Sequence, residues 1–312
     1  MTAAFVSCFY RSSDGLKLHY RDYTGPPDAP FTVLCIPGLT RNARDFEDLA
    51  PHLATRYRVL VAELRGRGLS EYAKDAATYV PGIYVRDMGN LIKATGLRHV
   101  ALIGTSLGGI ISMVMAGVVP AKLLGVVLND IGPELDPAGL TRIASYLGKS
   151  KPITTWEDAA DAIKMLDGVI YPAYQQSDWL RMARRRFVEE EGGVRPDYDL
   201  NISKPFAGSA KAVDLWPFFL SLRGIPTLTI RGGTSDLLSA DIFARMKQQL
   251  PHIDQVTVPN VGHAPYLDEP EALGAVDAFL AKLPHRLVPL TVLGRTMRSV
   301  AMLVKLKMSG AI

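Results

Sequence analysis

The sequence predicts an α/β domain: a mostly parallel, twisted sheet with helices on both faces and a helical insertion. Three observations carry that expectation. From residue 31 to about 128, short apolar runs alternate with segments of helical spacing. Between Gly132 and Gly224 the alternation stops and no clear strand is found. At Pro226 it resumes, and it continues to Leu283.

Taken in order, Val6 to Tyr10 and Leu16 to Tyr23 read as two strands joined by the turn Ser13-Asp14-Gly15. Phe31 to Ile36 is apolar without alternation, as a strand covered on both faces must be, and Pro37-Gly38 ends it. Asp45 to Ala54 carries Phe46, Leu49, Ala50 and Leu53 on one helical face. Tyr57 to Ala62 is the next strand, followed by the turn Arg65-Gly66-Arg67-Gly68. Val80 to Thr95 reads as helix, His99 to Ile103 as strand, Ser106 to Val118 as helix and Leu123 to Leu128 as strand. After the break come strand Pro226 to Arg231, helix Ser239 to Leu250, strand Gln255 to Val258 and helix Pro270 to Leu283.

The break, residues 133–224, is too long for a simple loop. Trp156 to Leu166 and Asp178 to Glu190 have helical patterns, and all three tryptophans (Trp156, Trp179, Trp216) fall here. The tryptophans read as core. Arg184-Arg185-Arg186 reads as a solvated helix face. The predicted organisation is a core of residues 1–132 and 225–284, the insertion 133–224, and a C-terminal extension, 285–312.

Composition narrows the function classes. The 312 residues are 48% hydrophobic, and 35 Lys+Arg against 31 Asp+Glu leave a net charge of only +4. That excess is too small to argue for nucleic acid. Cys8 and Cys35 lie in strand-like surroundings and read as buried free thiols. No Cys/His spacing suggests a metal, and no cofactor motif is found. The N-terminus lacks a secretory pattern, and no run reaches the roughly 18 apolar residues of a membrane span. The expectation is a soluble, cytoplasmic protein acting on a small molecule.

The candidate chemistry starts at Gly104-Thr105-Ser106-Leu107-Gly108. This Gly-x-Ser-x-Gly stretch follows a strand and opens a helix, the context of a nucleophile elbow. A serine there takes a strained backbone conformation, so its neighbours must be small. The helix N-terminus sets free N–H groups beside any developing anion. A serine hydroxyl also needs a base. Of six histidines, only His263 sits in a Gly-flanked loop just past a strand, at the carboxyl edge where α/β sites form. The imidazole in turn needs an acid. Asp236, in Arg231-Gly232-Gly233-Thr234-Ser235-Asp236, is favoured because it sits one strand before His263. Asp130, directly after the strand that follows the elbow helix, is the alternative.

With these residues in place the chain resembles the α/β-hydrolase superfamily, and within it the branch of serine esterases, enol-lactonases and carbon–carbon hydrolases. The resemblance rests on the elbow GTSLGG, the acid turn GGTSDLL and the histidine loop GHAPYLDEP, and covers residues 10 to 284. Leu34 to Thr40 resembles the family's oxyanion loop, with Pro37 where a histidine is usual. Glu63 to Ser70 resembles its D-x-R-G-x-G-x-S turn, with Glu63 in place of aspartate. The resemblance implies an α/β-hydrolase fold and a catalytic triad of Ser106, Asp236 and His263. It further implies an oxyanion hole from the N–H groups of Leu39 and Leu107, and a cap over the site formed by the insertion. A serine at position 106 departs from the dehalogenase and epoxide hydrolase branches, which carry aspartate there.

The implied reaction is cleavage of a carboxylic ester or lactone through an acyl-enzyme. A dienoate carbon–carbon hydrolase and a non-catalytic receptor on the same fold are the alternatives. Thr40, Arg41 and Arg44, at the end of the oxyanion loop and just after it, are candidate substrate contacts, the two arginines for a carboxylate. Beyond Pro284 the chain is basic and has no acidic residue. Met297, Val300, Ala301, Val304 and Met308 follow helical spacing, which predicts an amphipathic helix. Residues 289–308 are candidates for packing on their own domain, for a homodimer contact or for a membrane-surface contact.

Overall fold

The computed structural model describes residues 4–206 and 214–308. An eight-stranded sheet forms its centre, in the order β1-β2-β4-β3-β5-β6-β9-β10. In chain order the elements are β1 (Val6–Arg11), β2 (Lys17–Tyr23), β3 (Thr32–Ile36), α1 (Leu49–Leu53), β4 (Arg58–Ala62), α2 (Pro81–Ala94), β5 (Val100–Thr105), α3 (Leu107–Val118) and β6 (Leu123–Asn129). The insertion follows with α4 (Pro137–Tyr146), α5 (Trp156–Asp167), α6 (Gln176–Arg186), the hairpin β7 (Phe187–Glu190) and β8 (Gly193–Pro196), and α7 (Trp216–Leu220). The core closes with β9 (Thr227–Gly232), α8 (Ala240–Gln249), β10 (Asp254–Val258) and α9 (Pro270–Ala281), before α10 (Pro289–Met308).

β1 pairs with β2 and β2 with β4 in antiparallel register; from β4 to β10 every pairing is parallel. The parallel strands show why their sequences do not alternate. Leu34 and Ile36 of β3 face one apolar cluster, which includes Met88, Leu91 and Ile111 of α2 and α3. Val33 and Cys35 face the other, which includes Leu49 and Leu53 of α1 and Val276 and Phe279 of α9. Side chains point to both faces in turn, and both faces are dry. Cys35 is buried as expected, whereas Cys8 on the outer strand β1 is only partly so; both are free thiols.

The insertion departs from expectation in three places. It contains a β-hairpin, with Gly192 at φ 84° in the turn, where the sequence predicts a largely helical segment with no clear strand. The helix expected to run to Glu190 ends at Arg186, where the backbone turns extended at Phe187. Of the three arginines at its end, only Arg184 is solvated; Arg185 is buried and Arg186 partly so. Among the tryptophans, Trp179 is fully buried, while Trp156 and Trp216 pack at the edges of the two clusters.

α10 forms, but not with its apolar face inward. Among its described side chains, those that are buried are Arg295 and Ser299. Arg295 donates to the carbonyls of Gly224 (2.8 Å from Nη2) and Leu123 (2.6 Å from Nη1), and the Ser299 hydroxyl donates to the Gly117 carbonyl. Met297, Val300 and Ala301, from the expected packing face, are exposed. The side chains of Val304 and Met308 lie outside the described ones. The open carbonyls at the ends of α3 and of the segment before β9 explain the inversion: they need donors, which Arg295 and Ser299 supply and a methionine cannot. Among the described residues, no helix is long and apolar enough to cross a membrane.

Candidate active site

The site forms at the carboxyl edge of the parallel strands. Ser106 follows β5 and opens α3 with φ 52° and ψ −115°, a conformation that costs about 1–3 kcal/mol for a non-glycine residue. The flanking glycines hold it there. A Cβ on Gly104 would lie 2.3 Å from the Gly108 carbonyl oxygen, and one on Gly108 would lie 2.0 Å from that of Ile36. Strand, helix and the loop after β3 thus meet backbone to backbone, and the Ser106 N–H is tied to the Asn129 carbonyl at 3.0 Å.

The loop after β10 brings His263 to the serine. Its Nε2 lies 2.9 Å from Ser106 Oγ. Its Nδ1 lies 2.8 Å from Oδ2 of Asp130, which is fully buried. Asp130 leaves the end of β6 with φ 52°. Its Oδ1 accepts from the Gly232 N–H (2.7 Å) and its Oδ2 from the Ser235 hydroxyl (2.6 Å). Held by these donors, the carboxylate accepts from the imidazole and fixes it with Nδ1–H toward itself and Nε2 free to accept. Asn129 braces the same corner, donating to Thr105 Oγ1 (3.0 Å) and to the Pro265 carbonyl (2.7 Å). Glu269 accepts from the N–H groups of Tyr266 and Leu267 and closes the histidine loop.

The pairing of His263 with Asp236 is corrected by this geometry. Asp236 is held by Arg142 of α4, with Oδ2 to Nε at 2.7 Å and Oδ1 to Nη2 at 2.9 Å. The local reason is the seating of α4. The Gly139 N–H donates to the Asp236 carbonyl, and a Cβ on Gly139 would lie 2.7 Å from that oxygen. The helix therefore sits directly on the Asp236 turn, and Arg142, one turn on, reaches its carboxylate. Burial works to raise the Asp236 pKa, but the Arg142 hydrogen bonds and charge, with His263, outweigh it and hold the carboxyl below its usual range.

The loop after β3 is braced from the Arg-Gly-Arg-Gly turn. Arg67 Nε donates to the Leu39 carbonyl at 2.9 Å. Glu63 accepts from the Ala43 and Leu69 N–H groups and pairs with His19 Nδ1 at 2.9 Å. The N–H groups of Leu39 and Leu107 have no protein acceptor among the described residues, so both are available beside Ser106.

A cleft of about 450 Å³, counting its solvent-open mouth, brings the two halves together. From the core it is lined by Gly38, Leu39, Thr40, Arg41, Thr105, Ser106, His263 and Ala264; from the insertion by Arg142, Ile143, Tyr146, Asp167 and Arg186. Thr40 and Arg41 are thus at the cleft. Arg44 is not. It is spent on the insertion, donating to the carbonyls of Arg185 and Phe187 and to Asp197 Oδ2 at 2.7 Å. Arg185 is likewise a strut, held by Glu47 and Asp48 and stacked over Tyr266. Arg41 donates from Nη1 to Tyr266 Oη (2.8 Å) and Asp45 Oδ1 (3.2 Å). Burial, with the charge of Asp167 next, raises the Tyr146 pKa, so its phenol keeps its proton.

Sequence reasoning missed Arg142, Tyr146, Asp167 and Arg186, because a polar side chain on a helix gives no sign of which way it will face. It also passed over Ser235, although the residue adjoins Asp236 in the turn already singled out.

Comparison with known proteins agrees with this architecture. Residues 32–270 match the family model described as the alpha/beta hydrolase fold. The 3-hydroxybutyrate-oligomer hydrolase of Cupriavidus necator is 34% identical over 286 residues, 88% of this chain and 96% of that protein. The 2-(acetamidomethylene)succinate hydrolase of Mesorhizobium japonicum is 29% identical, over 76% of this chain and 82% of that protein. The crystal structure of an α/β hydrolase from Novosphingobium aromaticivorans superposes with a TM-score of 0.85 at 46% identity, covering 90% of this chain and 99% of that one. With the fold, the family match over most of the chain and the named hydrolases in agreement, this chain belongs to the α/β-hydrolase family of hydrolases.

Proposed function

We propose that this protein is a serine hydrolase that cleaves a carboxylic ester of a small organic molecule through an acyl-enzyme on Ser106. The observation that carries the reading is the hydrogen-bonded relay Ser106 Oγ–His263 Nε2–His263 Nδ1–Asp130 Oδ2, at 2.9 and 2.8 Å, on a strained elbow that opens a helix. Ser106 Oγ attacks the acyl carbon while His263 Nε2 takes its proton. Asp130 holds the imidazole in the accepting tautomer and stabilises the imidazolium. The N–H groups of Leu39 and Leu107 receive the oxyanion; such donors are worth about 2.7–4 kcal/mol each in the transition state. As the bond from acyl carbon to alkoxy oxygen breaks, His263 passes the proton to the departing alcohol. Water then attacks the acyl-enzyme by the same route in reverse, and Ser106 is regenerated.

The choice of ester is supported by the Cupriavidus relative, whose named substrate is an oligomer of a hydroxy acid. The test uses the full chain with 3-hydroxybutyrate dimers, p-nitrophenyl esters, a lactone and a ring-cleavage dienoate. Ester turnover is expected to lead. Ser106→Ala should lower it by about 10,000-fold or more, and a fluorophosphonate should label Ser106. Faster turnover of the dienoate would replace ester with carbon–carbon cleavage. Absence of both labelling and turnover would favour a non-catalytic receptor.

A further inference from the structure

Three arginines line the cleft beside Ser106, and they differ in what they have left to give. Arg142 is spent: Nε and Nη2 grip both oxygens of Asp236, and Nη1 donates to Asp167 Oδ1 at 2.8 Å. Arg41 commits only Nη1, to Tyr266 and Asp45, but neither of its other nitrogens is buried without a partner. Arg186 commits only Nη1, to Asp167 Oδ2 at 2.7 Å. Its Nε is buried without a partner, and its Nη2 makes no hydrogen bond among the described residues. The free pair, Nε with Nη2, is the same guanidinium edge by which Arg142 takes the Asp236 carboxylate.

We propose that the Nε/Nη2 edge of Arg186 binds a carboxylate of the substrate, so that the cleft selects acidic esters, with Tyr146 and Arg41 completing the anion site. This deepens the ester-hydrolase reading above and rests on it. Net charge does not make the site, since Asp167, Asp236 and Asp45 balance the three arginines. It rests on uncommitted donors. A buried N–H with no acceptor has lost its water without gaining a partner, and two parallel N–H groups on one edge match the two oxygens of a carboxylate. Asp167 holds Arg186 in place for this, bridging it to Arg142. The phenol of Tyr146, kept protonated by burial, is a donor at the same wall. Because Arg186 and Ser106 line one cleft, the ligand class is a small ester that carries a free carboxylate, as in a linear dimer of a hydroxy acid.

The test compares the 3-hydroxybutyrate dimer with its terminal carboxamide, which keeps the scissile ester and loses only the charge. Wild type should prefer the acid by about 100-fold in kcat/KM, mostly through KM. Arg186→Gln should bring that ratio below about 5-fold, and Tyr146→Phe should lower it less. A purely structural role for Arg186 would instead reduce both substrates equally. If Arg186→Gln fails to fold, competition in wild type decides: succinate should inhibit and succinamide should not. Equal wild-type turnover of acid and amide, with Ser106 still labelled by a fluorophosphonate, would overturn the anion site and leave the nucleophile standing. Loss of both labelling and turnover in wild type would overturn the nucleophile, and the anion site with it.

Discussion

On the sheet side of the cleft, Ser106 and Asp130 hang from strand ends at positive φ, and main-chain contacts lock them there. On the insertion side, Arg142, Asp167 and Arg186 are carried on helices and held by one another's charges. Both walls put polar groups on the same few ångströms of space, but the first has one arrangement and the second is a set of exchangeable ion pairs. Chemistry that must not move is built into the backbone. On the reading proposed above, recognition is left to side chains.

The two aspartates put that division to the sharpest test, because each is held by one wall. Asp130→Asn should keep the geometry of the serine and histidine but offer an amide to Nδ1, favouring the wrong tautomer, and kcat should fall by about 10,000-fold. Asp236→Asn should change kcat/KM by less than about 10-fold, since it touches His263 through neither oxygen. Steady-state kinetics of the two variants on one ester decides between them. A large loss in Asp236→Asn with activity retained in Asp130→Asn would reassign the acid and undo the comparison.

How much of this was readable in the chain follows from the same contrast. The strands were legible because burial on both faces leaves an apolar run, and Ser106 and His263 because each sits in glycines at a strand end. Asp130 and Asp236 both satisfy that local description. What separates them is the seating of α4 on the Asp236 turn at Gly139, a contact across about 100 residues of chain that no local pattern records. Arg186 and Arg184 are two residues apart on α6; one lines the cleft while the other lies over Trp156 in solvent. Helical spacing fixes their angular separation but not which side meets the core. The inverted packing of α10 has the same origin: the apolar spacing was read correctly, but the partner surface offers carbonyls.

A smaller effect should separate the walls by pH. The Asp236 carboxyl is held below its usual range in the folded protein. Its contribution to stability is therefore present above the ordinary carboxyl pKa of about 4 and is lost as pH falls through the lower, folded value. Removing the charge in Asp236→Asn should cost about 1–2 kcal/mol at pH 7, as a partly solvated arginine pair does when one partner goes. The variant's Tm should then fall less steeply than wild type between pH 5 and pH 3, which calorimetry across that range would show. Parallel Tm curves would mean that Arg142–Asp236 adds nothing to the attachment of the insertion.

The smallest effect is expected at α10, where an arginine again does what apolar contact does elsewhere. Arg295 is buried, its pKa is lowered by burial and then by neighbouring Arg298, and three of its N–H groups go to the carbonyls of Leu123 and Gly224. Arg295→Met keeps much of the volume and removes every donor. It removes the donors that tie those carbonyls to the helix, so α10 should loosen at a cost of about 1 kcal/mol. Hydrogen exchange should then rise over residues 289–301 and stay unchanged over β5 and α3, and ester kinetics should stay within about 2-fold, because none of the helix's described side chains lines the cleft. Faster exchange at the elbow as well would show that α10 supports the rigid wall through α3. In that case the backbone lock on Ser106 depends on a side-chain contact after all, and the two modes of construction are coupled.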